Sequence, residues 1–339
     1  MFLRNAWYTA TWSKDLTDAP LARRIIDEDV VLFRGTGGKA VALEDRCCHR
    51  AAPLSRGKVV GELLQCGYHG LKFDGAGHCL EVPNQPLVPP GTRVRAYPVT
   101  EKWNVTWVWM GDPAKADESL LPKLPWLDSP DWKLEPGYLH IDANGQLLVD
   151  NLLDFSHVSY LHPNTLAGDP REATTPVKTE RDADGIRVGR WMLDFVPPPL
   201  FQRAGGFNGN VDRWQFANWR APSTVFMEVG AAPVGTGAPQ GDRSKGISVW
   251  STHLITPETE TSCHYHFGWA RNFALEDATL SKAIFEGTLA TFLEDKDMIE
   301  AQQKKLDGAA LDGLVDIIAD TAQLQARRIL GDMIARENS

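Results

Sequence analysis

Two short segments, Cys47-Cys48-His49-Arg50 and Cys66-Gly67-Tyr68-His69-Gly70, decide the fold of the N-terminal part of the chain. Each contributes one cysteine and one histidine as possible metal ligands. Zinc accepts the same ligand types, but its usual spacing places both cysteines in one knuckle and both histidines in the other. One cysteine and one histidine in each segment instead suit a site with two metals, in which one metal binds both thiolates and the other binds both imidazoles.

This ligand set is that of a Rieske two-iron, two-sulfur cluster, in which histidine in place of cysteine raises the reduction potential. The flanking residues resemble the C-x-H-R and C-x-x-H-G signatures of Rieske proteins. We therefore predict a Rieske cluster at this site, with zinc as the alternative. The predicted cluster ligands are Cys47, His49, Cys66 and His69.

The composition is that of a globular protein with more than one core. A chain of 339 residues suits two domains, and 43% hydrophobic with 23% charged residues is ordinary. The net charge of -9 leaves no basic surplus to neutralise phosphates, so no nucleic-acid partner is expected.

Charged residues within positions 1–16 interrupt any signal-peptide core or membrane span, so a cytoplasmic protein without a membrane partner is expected. The cysteine count of five, with two assigned to iron, agrees with a reducing compartment. The other three are predicted to be small hydrophobic residues: Cys48, Cys79 and Cys263.

Short apolar runs between glycine turns predict an all-β domain over residues 1–113, with the two metal loops at one end. The segment 114–136 is rich in Pro, Asp and Ser and is predicted to connect this domain to a second one, 137–339. Two segments of the second domain, 163–176 and 197–210, are predicted to be loops. Loops of this length are disordered or functional, and either is a candidate cover for a substrate entrance.

The second domain mixes helical and strand-like patterns. A helical stretch near 144–162 precedes strand-like runs over 177–267, and two long helical patterns follow at 280–305 and 311–336. This succession predicts an antiparallel sheet backed by helices, so that the chain as a whole is of the α+β class.

A second group of metal ligands lies in the first helical stretch. Asp154 and His157 are three residues apart and share a helix face, whereas His157 and His162 would point about 140° apart on a regular helix. To bind one ion, the helix must loosen around Ser159 or end before Pro163. The alternative is that both histidines are structural residues at the edge of a core.

Two histidines and one carboxylate form the facial triad of non-haem iron oxygenases. The late helix offers Glu294-Asp295-Lys296-Asp297. Asp295 is the predicted ligand because apolar residues lie three or four positions away from it, whereas Glu294 and Asp297 are predicted to be solvated. Those apolar residues are Phe292, Met298 and Ile299.

Both motifs together resemble the Rieske non-haem iron oxygenases. Segments 3–8, 148–154 and 252–260 are similar to the short, α-subunit-only branch, which includes vanillate O-demethylase oxygenase and dicamba monooxygenase. The resemblance implies an N-terminal all-β Rieske domain, a C-terminal helix-grip catalytic domain, a Rieske cluster and a mononuclear Fe(II). Its implied iron ligands are His157, His162 and Asp295.

The resemblance also implies roles for residues around the metals. Asp154 matches the aspartate that links the cluster ligand His69 of one subunit to the iron ligand His157 of the next in a head-to-tail homotrimer. Asn151 matches an asparagine near the iron. The implied substrate contacts are His253 and Met227.

No flavin or nicotinamide fingerprint is present in the sequence, so electrons are expected from a separate reductase that carries a flavin and a plant-type 2Fe-2S cluster. The expected activity is O-demethylation of a methoxylated aromatic acid with dioxygen: the methyl group is hydroxylated, and the hemiacetal product collapses to a phenol and formaldehyde. The alternative enzymatic activities are hydroxylation of an aromatic ring or of a ring methyl group. A different class is an electron-transfer or binding protein with a degenerate second site.

Overall fold

The computed structural model describes residues 1–163, 165–166, 169–182, 185–306 and 314–338. Backbone contacts divide the chain into two compact units. The first contains Met1–Lys123 and Thr256–Thr259, and the second contains Leu124–Ile255 and Glu260–Ser339. Among the described residues, no helix is long and apolar enough to span a membrane.

The first unit is made mainly of short strands. They form a three-stranded sheet in the order β1-β11-β10 and two four-stranded sheets, β2-β3-β4-β9 and β5-β6-β7-β8. The strands are β1 Trp7–Trp12, β2 Leu21–Ile25, β3 Glu28–Arg34, β4 Ala40–Glu44, β5 Lys58–Val60, β6 Leu63–Gln65, β7 Lys72–Phe73, β8 Cys79–Glu81, β9 Ala96–Tyr97, β10 Val99–Lys102 and β11 Val105–Trp109.

The predicted metal loops lie between β4 and β5 and between β6 and β7. Below them, apolar side chains from β3, β4, β6 and β7 form one buried cluster, which also contains Cys47 and Cys66. Leu64 and Phe73 pair across β6 and β7 and are both fully buried. The thiols of the two loops therefore point into the core that holds their strands together.

The second unit is a seven-stranded sheet with helices, in the strand order β12-β18-β17-β16-β15-β14-β13. The strands are β12 Lys133–Ile141, β13 Lys178–Arg181, β14 Gly185–Phe195, β15 Val211–Arg220, β16 Thr224–Pro233, β17 Ile247–Thr259 and β18 Ser262–Arg271. The helices are α1 Gly145–Leu153, α2 Val158–Leu161, α3 Pro199–Gly205, α4 Ala278–Leu306 and α5 Thr321–Glu337.

Alternation along the strands directs one set of side chains towards the helices. Val188 of β14 and Ala217 of β15 belong to the same buried cluster as Leu148 of α1, Phe292 of α4 and Ile329 of α5. The antiparallel pairing of neighbouring strands is observed from β13 to β17 and between β12 and β18. The predicted α+β class, an all-β domain followed by an antiparallel sheet backed by helices, is confirmed.

Several predicted element bounds differ from the structure. Strand β12 begins within the segment 114–136, where it pairs with β18. The last helix begins at Thr321 and not at 311, because a 3₁₀ turn in which Asp320 Oδ2 accepts from the Ile317 N–H (2.6 Å) precedes it. Residues 311–313 lie outside the described residues.

The 3₁₀ turns of the described residues are Ser13–Asp15, Leu54–Arg56, Pro113–Lys115, Glu118–Leu120, Pro125–Leu127, Pro170–Thr174, Ala238–Gln240 and Ile318–Asp320.

The segment 197–210, predicted to be a loop, contains helix α3. The helix has proline in its first turn, and Gly206, whose φ of 62° is left-handed, directly follows its last residue. Proline at the start and glycine just past the end are helix boundary signals. Proline and glycine are turn residues as well, so a helix as short as α3 is not distinguished from a loop by these signals alone.

Candidate metal centres

The two loops with the Cys–His pairs close by the same hydrogen-bond pattern. The N–H of Ala51 donates to the carbonyl of Cys47 (2.9 Å), and the N–H of Gly70 donates to the carbonyl of Cys66 (3.1 Å). Each cysteine N–H donates to the carbonyl five residues later, at 2.8 Å in both loops. Ala51 and Gly70 both adopt positive φ, 56° and 78°. The pairs therefore occupy equivalent turns, although their Cys–His spacings differ.

Close backbone approach between the loops depends on Gly67. A Cβ atom at this position would lie 2.5 Å from the carbonyl oxygen of Arg56 in the first loop. Such a separation is too short for a side chain. Gly67 therefore brings the second loop close enough to the first for both to ligate one cluster.

The four donor groups form two layers. Cys47 and Cys66 are each 2% exposed, whereas His49 and His69 are exposed and their ring centroids lie 4.5 Å apart. Burial, together with the neighbouring thiol, raises the pKa of Cys47 to about 11. Iron binding would displace this proton, since the thiolate is the ligand. Two adjacent thiols beneath two adjacent imidazoles fit a Rieske cluster.

The second site lies around the one-turn helix α2. His157 is its N-cap and His162 is its C-cap, so the two imidazoles leave the backbone at opposite ends of the turn. The helical stretch predicted over 144–162 is interrupted at Asp154, which has extended backbone and accepts from the Ser156 N–H through Oδ1 (2.7 Å). The spacing is thus accommodated by a break before His157 and an end before Pro163, without loosening at Ser159.

Three side chains converge at this point. His162 Nε2 lies 3.0 Å and His157 Nε2 lies 3.7 Å from Asp295 Oδ1, and the three donor atoms are within 4.8 Å of one another. Asp295 is buried on α4. Two imidazoles and a carboxylate on one side of a metal leave coordination positions open, which is the arrangement of non-haem iron oxygenases. The residues therefore fit one mononuclear iron.

Neighbouring polar groups orient two of these donors. Asn151 Nδ2 donates to Asp295 Oδ1 (2.9 Å), and Glu294 Oε2 lies 2.7 Å from His162 Nδ1. The Thr165 hydroxyl donates to the same carboxylate oxygen of Glu294 (3.0 Å). A carboxylate on Nδ1 fixes the imidazole with Nε2 directed at the metal.

The prediction that Glu294 is merely solvated is therefore wrong. Its side chain is half-buried and bonds to His162, whereas Asp297 is exposed as predicted. Apolar spacing could not reveal this contact, because Glu294 meets α2 at the edge of the buried stripe. The signal would have been the general need of a ligating histidine for a carboxylate partner.

Met298, expected beside Asp295 on the buried stripe, is 53% exposed.

The surroundings shift the pKa values of the two imidazoles in opposite directions. Burial is the main cause that lowers the pKa of His157, which keeps this ring neutral and able to ligate a metal. Burial opposes protonation of His162 as well, but the hydrogen bonds and charges of Asp295 and Glu294 raise its pKa overall.

A cavity of about 600 Å³ opens beside the iron site and is lined by His157, Asn151 and Asp154, among others. Asp150, on the same wall, is paired with Arg327 of α5 (Nε to Oδ2, 3.0 Å). Further acidic residues of the wall are Asp154, Asp316 and Asp320. The cavity lining therefore carries more acidic than basic side chains.

The two predicted substrate contacts lie on the face of the sheet towards the helices. His253 of β17 is buried, with Nδ1 2.6 Å from the Tyr265 hydroxyl and Nε2 3.0 Å from the Ser251 hydroxyl. Burial lowers the pKa of His253 to about 3, so the ring is neutral. Met227 of β16 is half-buried between two apolar clusters. Their contact with substrate stays a prediction.

Two known families match the parts of the chain that contain these sites. Residues 6–98 match the Rieske [2Fe-2S] domain, and residues 141–336 match the vanillate O-demethylase oxygenase C-terminal domain. The chain therefore belongs to the Rieske non-haem iron oxygenases, in the branch of the vanillate O-demethylase oxygenases. The predicted family, enzyme class and both iron cofactors are confirmed.

Individual relatives span the whole chain. It is 43% identical to the toluene-4-sulfonate monooxygenase system iron-sulfur subunit TsaM1 of Comamonas testosteroni, over 100% of this chain and 99% of that protein. It is 37% identical to a vanillate O-demethylase oxygenase subunit of Pseudomonas sp., over 99% and 96%. The crystal structure of dicamba monooxygenase bound to 3,6-dichlorosalicylic acid superposes with a TM-score of 0.93 and 34% identity, covering 100% and 99% of the two chains. As an oxygenase component, the chain works with a reductase and an aromatic substrate.

Replacing a histidine of the cluster loops tests the ligand assignment. His69→Cys should change or abolish the Rieske electron paramagnetic resonance signal. The reason is that a thiolate in place of an imidazole changes the ligand set of the cluster and lowers its reduction potential. His78→Cys, which adds a cysteine at an exposed position of the same unit, should leave the signal unchanged. An unchanged spectrum in His69→Cys contradicts the assignment.

Three carboxylates of α4 should respond differently to substitution. Asp295→Ala should lose the mononuclear iron and product formation while retaining the Rieske signal, because two imidazoles alone hold ferrous iron weakly. Glu294→Gln should weaken iron binding by about 10–100-fold, the usual cost of losing a ligand's hydrogen-bond partner. The exposed Asp297→Asn is the control, and iron analysis after dialysis is the measurement. Loss of iron from the Asp297 variant instead would show that the wrong face of α4 has been assigned.

Proposed function

We propose that this chain is the oxygenase component of an aromatic O-demethylase that acts on a methoxylated aromatic acid of the vanillate type. The observation that carries the proposal is the convergence of His157, His162 and Asp295 at one point of a helix-backed sheet. Relatives named vanillate O-demethylase and dicamba O-demethylase, which are 37% identical to this chain, support the reaction type.

The iron held by this triad supplies the activation of dioxygen. The side chains around it prepare the ligands for that chemistry. Asn151 orients the Asp295 carboxylate, and Glu294 keeps the proton of His162 on Nδ1, so that Nε2 offers its lone pair. Burial keeps His157 neutral. We assign His253 and Met227 to the substrate pocket, because both lie on the sheet face that packs against α4.

The proposed domain organisation is a Rieske domain over 1–113, a connection over 114–136 and a catalytic domain over 137–339. The matches to the Rieske domain at 6–98 and to the oxygenase domain at 141–336 lie within these bounds. Each proposed domain has a buried apolar cluster of its own, which supports the division.

We infer that electrons pass between subunits of a head-to-tail homotrimer, from the cluster of one copy to the iron of the next. Charge complementarity supports this arrangement. The cluster loops carry the exposed Arg46, Arg50 and Arg56 and the 68% exposed Tyr68, whereas the cavity beside His157 is acidic. Asp154, which lines that cavity, is the proposed bridge from His157 to the partner's His69.

The proposed reductase carries a flavin and a plant-type 2Fe-2S cluster, and the proposed location is the cytoplasm. The sequence supports a separate electron donor, since it contains no flavin or nicotinamide fingerprint.

A substrate panel tests the reaction. With a surrogate reductase, vanillate and para-methoxybenzoate should release formaldehyde in proportion to substrate consumed, because hydroxylation of the methyl carbon yields a hemiacetal. The comparison substrates are toluene-4-sulfonate, para-toluate and phthalate, for which benzylic alcohols and dihydroxylated products are scored separately. Benzylic alcohol or diol formation without formaldehyde from any methoxyarene would contradict O-demethylation.

The inter-subunit route predicts a specific defect in Asp154→Asn. Both metals should be retained, because Asp154 is not among the three ligands, but iron reduction by a pre-reduced cluster should slow by about tenfold or more, as one bridging carboxylate is lost. Asp316→Asn, an exposed residue of the same cavity wall, is the control. Loss of the mononuclear iron from Asp154→Asn would instead make Asp154 a direct ligand.

A further inference from the structure

A pair of arginines lies on the buried face of the sheet in the second unit. Arg190 of β14 and Arg213 of β15 have side chains only 3% and 6% exposed. Strand alternation puts Arg190 on the face of Val188 and Arg213 on the face of Ala217, and both of these apolar residues pack against the helices. The guanidinium groups are therefore enclosed on the side of the sheet where the iron site lies.

Among the described residues, one carboxylate serves both guanidinium groups. Glu172 accepts from Arg213 Nη1 (2.6 Å), whereas Arg190 Nη2 lies 4.0 Å from its other oxygen. Arg190 donates instead to the backbone carbonyl of Glu172 (2.5 Å) and to Gln215 Oε1 (3.1 Å). The neighbouring Asp169 is already paired with Arg171 (2.6 Å).

This arrangement leaves an excess of positive charge. Arg190 Nη2 and Arg213 Nε are buried and have no hydrogen-bond partner within the described part of the chain. Burial lowers the pKa of Arg190 to about 10, with attraction by Glu172 opposing and repulsion by Arg213 adding to the shift. Arg190 is nevertheless charged at neutral pH. A buried cation without a full counter-charge is costly, so a bound anion would be favoured at this place.

The excess charge is close to the reacting centre. Arg190 Cζ lies 5.6 Å from the ring centroid of Phe155, which is two residues before His157 in the turn that leads into α2. The 3₁₀ turn Pro170–Thr174, which carries Glu172, packs against α2 itself. One aromatic side chain thus separates Arg190 from the segment that presents an iron ligand.

We propose that Arg190 binds the anionic group of the aromatic substrate, a carboxylate or a sulfonate, and so directs the opposite end of the ring towards the iron. The inference rests on the proposed function, since it assigns the acid specificity of that same site. A guanidinium pairs with such oxyanions through two parallel N–H donors. Because Arg190 gains a full counter-charge only when the acid is bound, the site discriminates against neutral aromatic compounds of the same shape.

A purely structural role makes a different prediction. If Arg190 served only to tie the Glu172 turn to β14, its replacement would lower stability and would weaken acid and neutral ligands alike. If it binds the anion, its replacement leaves the Glu172–Arg213 pair intact and removes the excess charge. The unliganded protein should then melt at the same temperature or higher.

The test compares ligand binding to the iron-loaded protein and three variants. Arg190→Gln retains an amide that can donate to the Glu172 carbonyl, and Arg190→Lys retains the charge. Arg187→Gln, exposed on the other face of the same strand, is the matched control. Dissociation constants are measured by thermal shift and by titration for para-methoxybenzoate, toluene-4-sulfonate and the neutral para-methoxybenzamide.

Arg190→Gln should weaken binding of the acids by about 10–100-fold, the value of a charge-assisted hydrogen bond, and leave the amide unchanged. Arg190→Lys should restore part of the preference for acids, and Arg187→Gln should match the wild type. The inference is overturned if Arg190→Gln loses acid and amide binding equally, or if it melts at a lower temperature and loses binding of both ligands. It is also overturned if the wild-type protein does not prefer the acids. Absence of formaldehyde from every methoxyarene would contradict the O-demethylase proposal alone, because the binding measurement requires no turnover.

Discussion

The catalytic unit depends on one buried carboxylate, that of Asp295. A carboxylate cannot be buried without partners, because the charged form loses its hydration. Its Oδ1 atom accepts from Asn151 Nδ2 at 2.9 Å and lies 3.0 Å from His162 Nε2 and 3.7 Å from His157 Nε2. One oxygen atom thereby ties α4 to α1 and to both ends of α2. The geometry that would bind iron is also what stabilises the meeting of these helices.

The N-terminal cluster site follows a different principle. There the backbone forms the ligand geometry, through two turns with the same hydrogen-bond pattern and left-handed residues at Ala51 and Gly70. The thiols of Cys47 and Cys66 are anchored in the apolar core of their own unit. Since each centre is supported by a separate core, a change at one metal should leave the other intact. The contrasting responses expected of the substituted proteins rest on this separation.

The sequence predicted best what is encoded locally. Each Cys–His pair spans three or four residues, so its spacing and its flanking residues predicted the cluster. The spacing of His157 and His162 required the helix to loosen at Ser159 or to end before Pro163. The break at Asp154 was not predicted, although it has a local signal, because the Asp154 carboxylate accepts from the Ser156 N–H two residues later. Contacts between distant segments, such as Glu294 with His162 or Glu172 with Arg213, leave no periodic pattern. These depend on which helix or turn packs against which strand, and only the folded chain shows them.

The central claim is that one chain holds a Rieske cluster and a separate mononuclear iron. This iron has open coordination positions, and its environment changes when the substrate binds. Mössbauer spectroscopy of protein loaded with enriched iron tests it most directly, because it resolves both kinds of iron in a single sample. We predict that about two-thirds of the iron belongs to the cluster and about one-third is high-spin ferrous, from two cluster irons and one mononuclear iron. Addition of an aromatic acid should change only the ferrous component. A spectrum with cluster iron alone, or a ferrous component that is indifferent to every aromatic acid, would contradict the account.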